Sequence, residues 1–294
     1  MAKDKTKPRA ELRDRHEAER QQQKAAAARK RRRTALLVIV GVLVVALAAT
    51  GVTLLVLRSQ AEKRMLSTSG DPAVQITPPN MTADSLAIIA NPKATLQSDA
   101  ITVDVYTDYQ CPTCIMYQGF AGDALTQLAT DGKIRLNYHL LTFEDGLVSN
   151  TASTRAAIAS TCADTVGKFS EYNAAVFAAS PQTQTTGAVV FTDDQLQTTF
   201  PGTAGITGDD LTNFRSCYTE RRTSAFVDNM NKTNAITPVP NNATFASGVS
   251  DAPYYLANDQ TVDLSTALSS STAGTIDEET LLTLLQTTAS GSGG

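Results

Sequence analysis

Tryptophan is absent from this 294-residue chain, aromatic residues make up only 6% of it, and it has just two histidines and four cysteines. So few imidazoles and thiols leave little room for metal centres. Structural zinc takes four Cys or His ligands, and one of the two histidines, His16, sits in a basic head away from the rest. Long stretches also lack charge of one sign. Residues 1–34 hold 13 Lys/Arg against 5 Asp/Glu, whereas residues 65–294 hold only 9 Lys/Arg against 23 Asp/Glu. A basic head therefore precedes an acidic body, and the net charge of −4 describes neither part.

Between head and body lies a 23-residue run with no charge at all, Ala35 to Leu57. About 20 apolar residues cross a bilayer core as a helix, and a helix satisfies its own backbone in lipid. The run reads as a single transmembrane helix. A cleavable signal peptide would have an apolar core of about 7–15 residues. This run is longer, and the small-residue sites between Ala46 and Ala49 fall inside it. The cluster Arg29-Lys30-Arg31-Arg32-Arg33 abuts its N-terminal side, while only Arg58, Lys63 and Arg64 follow closely on the other. The positive-inside rule then keeps residues 1–34 as a cytoplasmic tail and places the body outside, on a single-pass anchor in the cell membrane. Beside a span, a basic run serves topology and anionic lipid, so no nucleic-acid partner is expected.

Residues 58–85, with Ser67, Thr68, Ser69, Gly70, Pro72, Pro78 and Pro79, read as a linker, and residues 290–294 as a flexible tail. The domain spans 86–289. Short strands are expected over 85–90, 100–106 and 133–143. A helix runs from Cys111 to about Thr130 and stops at Asp131-Gly132. Strand, helix and strand within about 45 residues imply a parallel pair. Residues 149–232 read as a helical block. A hairpin is expected from 243–247 with 260–264, and a closing helix over 277–287, with acids in its first turn.

All four cysteines fall in the body, where disulfides persist if it is translocated. Cys111-Pro112-Thr113-Cys114 carries the chemistry. A lone C-x-x-C suits metal binding, redox exchange or an inert bridge. Its position favours redox, because it follows a strand and opens a helix. Cys111 then meets the unpaired N–H groups of the helix start, which favour a thiolate. Cys114 lies one turn on, as a shielded resolving partner for an exposed attacker. Asp104, on the preceding strand, is a candidate buried acid whose raised pKa would suit proton transfer to the resolving cysteine; a partly solvated aspartate bonded to a nearby turn is the plainer reading. His139 reads as a packed strand residue.

The run Val105-Tyr-Thr-Asp-Tyr-Gln-Cys-Pro-Thr-Cys114 resembles the DsbA-type family, whose active site reads Asp-aromatic-x-Cys-Pro-x-Cys. Tyr138-His-Leu-Leu-Thr-Phe143, Arg155-Ala-Ala and Cys162 resemble its membrane-anchored actinobacterial members. The resemblance covers roughly residues 80–288. It implies an α/β fold with a thioredoxin-like core and a helical insertion, and a thiol–disulfide oxidoreductase that introduces disulfides into exported proteins. A reductase or isomerase of the same fold is the nearer alternative, a non-catalytic binding module the farther one. Exported cysteine-containing proteins are the implied substrates. A membrane reoxidase of the DsbB or vitamin K epoxide reductase type is the implied electron acceptor. No cofactor and no metal are implied. The resemblance also implies a cis-proline facing the cysteines. Register with Ala235-Ile-Thr-Pro-Val-Pro240 puts it at Val239–Pro240, with Pro238 as the competitor. It supports a structural bridge between Cys162 and Cys217, the alternative being a second redox relay. Thr113 stands where some members carry a histidine that stabilises the thiolate.

Overall fold

The computed structural model describes residues 52–53, 67–181 and 190–291. The chain divides into two compact units, 1–64 and 65–294, and all that follows concerns the second. The expected cytoplasmic tail and nearly all of the expected span at 35–57 lie outside the described residues. Among the described residues, no helix is long and apolar enough to cross a membrane.

Five strands form one sheet in the order β1-β3-β2-β4-β5: β1 Ile88–Ile89, β2 Ile101–Thr107, β3 Ile134–Leu140, β4 Tyr254–Ala257 and β5 Gln260–Thr261. Strands β2 and β3 run parallel, pairing Ile101 with Ile134 through Thr107 with Leu140. Helix α1 (Pro112–Thr130) connects them. The alternation of Ile101, Val103 and Val105 puts these side chains on one face, in the main core with Leu125 and Leu128 of α1 and Leu136, Tyr138 and Leu140 of β3. Helix α1 ends where Gly132 turns at φ +70°, and a Cβ there would collide with the Thr95 carbonyl. Only glycine meets both demands.

The helical block is present as expected. Helices α2 (Glu144–Val148), α3 (Ala152–Asp164) and α4 (Phe169–Ala179) come first. A π-helical turn (Gln195–Thr199) then leads into α5 (Phe200–Thr203), followed by α6 (Gly208–Thr219) and α7 (Ser224–Asn234). Helix α3 has no exposed face, because it is buried nearly throughout. Ala156, Ala157, Ile158 and Ala159 are all fully covered, packed between neighbours rather than laid on a surface. The chain closes with α8 (Leu264–Ser270) and α9 (Glu278–Ala289), the latter capped by the Asp277 carboxylate on the Thr280 N–H.

Two expectations fail together. Ala243–Phe245 is a 3-10 turn rather than a strand, held by Asn242, whose side chain accepts from the Thr244 N–H. The strand that pairs with central β2 is Tyr254–Ala257, and its hairpin partner is Gln260–Thr261. Asn258 and Asp259, at φ +46° and +69°, make the tight turn between them. Positive φ at both central residues is the type I′ signature of two-residue hairpins.

The segment expected as a linker is held from Ser67 onward. The Arg221 side chain donates to the Ser67 carbonyl at 2.7 Å, and the Gly70 N–H to Ser224 Oγ at 3.0 Å. Farther along, the Ile76 N–H donates to the Arg222 carbonyl at 2.8 Å, and the Asn80 N–H to Asp164 at 2.9 Å.

Candidate active site

Cys111 is the N-cap of α1, with Pro112 in the first helical position, where a missing N–H costs nothing. The Cys114 N–H points at Cys111 Sγ from 3.1 Å. The two cysteines are joined as a disulfide, their Cα atoms 5.2 Å apart. The expected exposed attacker is in fact almost covered: Cys111 is 3% exposed and Cys114 not at all. The apolar floor of the sheet and the chain entering β4 close around the pair. What remains open lies on the Cys111 side, flanked by exposed Pro112, Thr113 and Met116.

The cis peptide bond lies at Ala252–Pro253, not at Val239–Pro240, and Pro238 does not carry it either. The carbonyl of Ala252 lies 3.8 Å from Cys111 Sγ. This correction and the missed strand are one error. A proline immediately before the strand beside β2 was expected, and it is present, before Tyr254 rather than before Ala243. Val239 instead belongs to a small second core under the opposite face of the sheet, with Tyr106, Phe245, Val249 and Leu256.

Asp104 is not the buried acid. It sits on the face of β2 away from α1, and its side chain keeps 17% exposure. Its carboxylate faces His139 Nε2 at 3.1 Å and accepts from Asn137 Nδ2 at 2.9 Å. His139 stacks on Tyr106 at 4.0 Å between ring centroids, and its other nitrogen faces Asn234 Oδ1. These residues support the fold beneath the second core.

The buried acid is Asp108, three residues before Cys111 and fully covered. Its Oδ1 accepts from the Gln110 N–H at 2.8 Å and from Ser153 Oγ at 2.5 Å. Its Oδ2 accepts from the Glu144 N–H at 3.1 Å. Burial pushes its pKa up to about 7, although all three bonds pull the other way. Gln110 extends the network. Its Nε2 lies 2.8 Å from Asp145 Oδ1, 2.9 Å from Asn150 Oδ1 and 2.8 Å from Ser153 Oγ. Asp145 also accepts from the Ser153 and Thr154 N–H groups, and burial raises its pKa too. Asp108 lies within the motif that marks the site, yet the sequence pattern points to Asp104 as the acid. The available signal for Asp108 was its position, in the turn where the strand hands over to the helix and side-chain oxygens cap backbone N–H groups.

Cys162, on α3, and Cys217, on α6, are joined with Cα atoms 5.7 Å apart. They are 0% and 1% exposed. No cluster of metal-ligating residues occurs among the described residues.

No curated protein matches the chain in sequence. Among solved structures it is similar to MdbA, a thiol-disulfide oxidoreductase from Actinomyces oris. That match has 17% identity and a TM-score of 0.53, over 76% of this chain and 97% of that one. MdbA from Corynebacterium diphtheriae matches at 19% identity and a TM-score of 0.48, over 66% of this chain and 91% of that one. Reduced DsbA from Mycobacterium tuberculosis matches at 17% identity and a TM-score of 0.47, over 70% of this chain and 99% of that one. The profile of the family described as Thioredoxin matches residues 93–266, a stretch that takes in the cysteine pair, the cis-proline and all five strands except β1; the chain belongs to that family.

Proposed function

We propose that this chain is an extracytoplasmic thiol–disulfide oxidoreductase, anchored by residues 35–57, that introduces disulfides into exported proteins through Cys111 and Cys114. The observation that carries the reading is the placement of Cys111 Sγ at the N-terminus of a 19-residue helix, under the Cys114 N–H. Partial positive charge there stabilises a thiolate on Cys111. A substrate thiolate attacks Cys111 Sγ, the Cys111–Cys114 bond breaks, and Cys114 leaves as thiolate. A second substrate thiol then attacks the substrate sulfur of the mixed disulfide and releases Cys111. The substrate is oxidised by two electrons and the pair is reduced. A membrane reoxidase of the DsbB or vitamin K epoxide reductase type takes those electrons. The Ala252 carbonyl beside Cys111 offers an acceptor to a substrate backbone lying across the pair.

Stabilising the Cys111 thiolate stabilises the reduced enzyme, which makes the pair an oxidant. The expected potential lies between about −270 mV for thioredoxin and about −120 mV for DsbA. Replacing Cys114 with Ala in intact cells should trap mixed disulfides on Cys111 with exported proteins, and replacing Cys111 should abolish them. Trapping only cytoplasmic proteins would remove the extracytoplasmic reading. A potential at or below thioredoxin's would replace the oxidase with a reductase.

A further inference from the structure

Asp108, Gln110, Asp145 and Ser153 have no part in the exchange steps above, yet all are tied to the turn that delivers Cys111, the first two and Ser153 buried and Asp145 half-buried. The Cys111 N–H donates to the Asp108 carbonyl at 3.1 Å, so the Asp108 backbone forms the turn and its side chain grips what lies behind it. The grip reaches two elements of the insertion. One oxygen takes the Glu144 N–H at the start of α2, and the other takes Ser153 Oγ on α3. Gln110, next to Cys111, crosses the same gap to Asp145, Asn150 and Ser153. The redox turn is therefore fastened to the insertion by side chains rather than by sheet pairing.

We propose that Asp108 and Gln110 are positioning residues that form a proton-sensitive clasp, holding the Cys111 turn against α2 and α3 and so setting how fast Cys111 is attacked. The proposal rests on the redox reading of Cys111 and adds to it a control from behind the disulfide. The chemistry is a matter of acceptor capacity. As a carboxylate, Asp108 accepts all three bonds it makes. Protonation turns one oxygen into a donor. On Oδ2 that donor meets the Glu144 N–H; on Oδ1 it meets the Gln110 N–H, while the Ser153 hydroxyl can rotate to accept. Either way one backbone bond is lost and the turn loosens. The charged and titratable groups around Asp108 are few. Asp145 on α2 raises its pKa, Tyr109 lies beside it, Cys111 at the start of α1 bonds its backbone, and the Glu144 backbone is in direct contact. On α3, Arg155 acts on Asp145 and pulls its pKa down.

The test uses the oxidised protein, in which neither cysteine titrates. Amide hydrogen exchange of Gln110, Cys111 and Glu144 is followed from pH 5 to 9 and corrected for intrinsic exchange. Protection should fall about tenfold as Asp108 is protonated, the change expected when one bond to a charged acceptor is lost. Asp108→Asn should show low protection with no pH step. Ser153→Ala removes a bond that favours the carboxylate, so it should move the midpoint to higher pH; it also keeps the test alive if the Asn variant fails to fold. In parallel, the rate at which glutathione attacks Cys111, corrected for its thiolate fraction, should step at the same midpoint in the wild type and not in Asp108→Asn. Wild-type protection without a pH step, or an unmoved midpoint in Ser153→Ala, would overturn the clasp. An exchange step with no matching step in rate would overturn its control of Cys111. Failure of the oxidase reading appears elsewhere, as absent mixed disulfides with exported proteins, and leaves the exchange result standing.

Discussion

Two disulfides lie in this domain, and their surroundings differ more than their geometry. Cys111 and Cys114 are three residues apart, joined across the first turn of a helix, and one of them borders the surface. Cys162 and Cys217 are 55 residues apart, tie α3 to α6, and are buried on every side. The first bond closes a loop too short to restrain the unfolded chain much, and it sits in a field that favours its cleavage. The second closes a long loop and faces Thr223 Oγ1 at 3.6 Å, and neither of its cysteines caps a helix: Cys162 lies in the last turn of α3 and Cys217 in the last turn of α6. On the proposed function the same covalent bond is a reagent in one place and a brace in the other, and location along a helix separates the two.

The comparison breaks most sharply if the brace is removed. Closing a 55-residue loop stabilises the native state by about 4 kcal/mol in the loop-entropy account. Replacing Cys162 and Cys217 together with Ala should cost about that much in chemical denaturation while leaving Cys111 reactive in whatever fraction is folded. Mild reduction of the wild type, followed by alkylation and mass spectrometry, should label Cys111 and Cys114 alone. Equal labelling of all four would make the inner pair a relay rather than a brace.

Much of the reagent's surroundings is legible in the sequence, and the reason is local. Alternation sets the faces of β2, proline at the first helical position marks the start of α1, and Asp131-Gly132 marks its end. Each signal lies within the element it predicts. Strand β4 carries no such signal over its four residues, Tyr254–Ala257. It is made a strand by pairing with β2, about 150 residues earlier in sequence. The stretch 243–247 reads as a strand, yet the chain turns at Gly248, whose φ of +98° and lack of a Cβ let it pass where a side chain would meet the Asn234 carbonyl. The Asn258-Asp259 hairpin turn was the cue that would have placed both β4 and the cis-proline. The choice between Asp104 and Asp108 needed the third dimension. Asp104 lies in the central strand but keeps 17% of its side chain exposed, whereas Asp108 lies past the strand and is enclosed by α2 and α3.

Asp108 sharpens the comparison from a different side, since it lies in the turn that delivers the reagent, whereas the buried acid near the brace, Asp164, is held by the Asn80 N–H and side chain. Its pKa rises from 3.8 to about 7 on folding, the opposite of the usual carboxylate. Between those values the folded chain keeps a proton that the unfolded chain has released. Stability due to this group therefore falls as pH rises from about 4, and the loss is complete above about 7. At roughly 1.4 kcal/mol per pK unit the whole loss is at most about 4 kcal/mol. Denaturation of the wild type and Asp108→Asn at pH 5 and pH 8 should differ by a slope of this sign, the wild type losing more between the two. A wild type that gains stability relative to the variant over this range would reverse the assignment. Global stability and the clasp respond oppositely here: the charge tightens the turn through its bonds and destabilises the fold through its burial.

Thr113 offers the smallest change and the finest test of how the reagent is tuned. It is exposed within the Cys-Pro-Thr-Cys turn and presents only a hydroxyl where a histidine would present a charge. Thr113→His should stabilise the Cys111 thiolate when the imidazole is protonated, and so favour the reduced pair and raise its potential. Exposed charges interact by about 0.2–1 kcal/mol. At about 1.4 kcal/mol per 30 mV, the potential should rise by no more than roughly 20 mV. The sign of the pH dependence separates charge from packing. An ordinary imidazole loses its proton near pH 6.5, so the rise should be present at pH 5.5 and gone at pH 8. The brace supplies the control, because its helices carry no such turn and its potential should not move in the same titration. A rise of equal size at both pH values would assign the effect to packing of the ring against Met116 and Pro112, and no rise at pH 5.5 would mean that the helix start alone sets the thiolate.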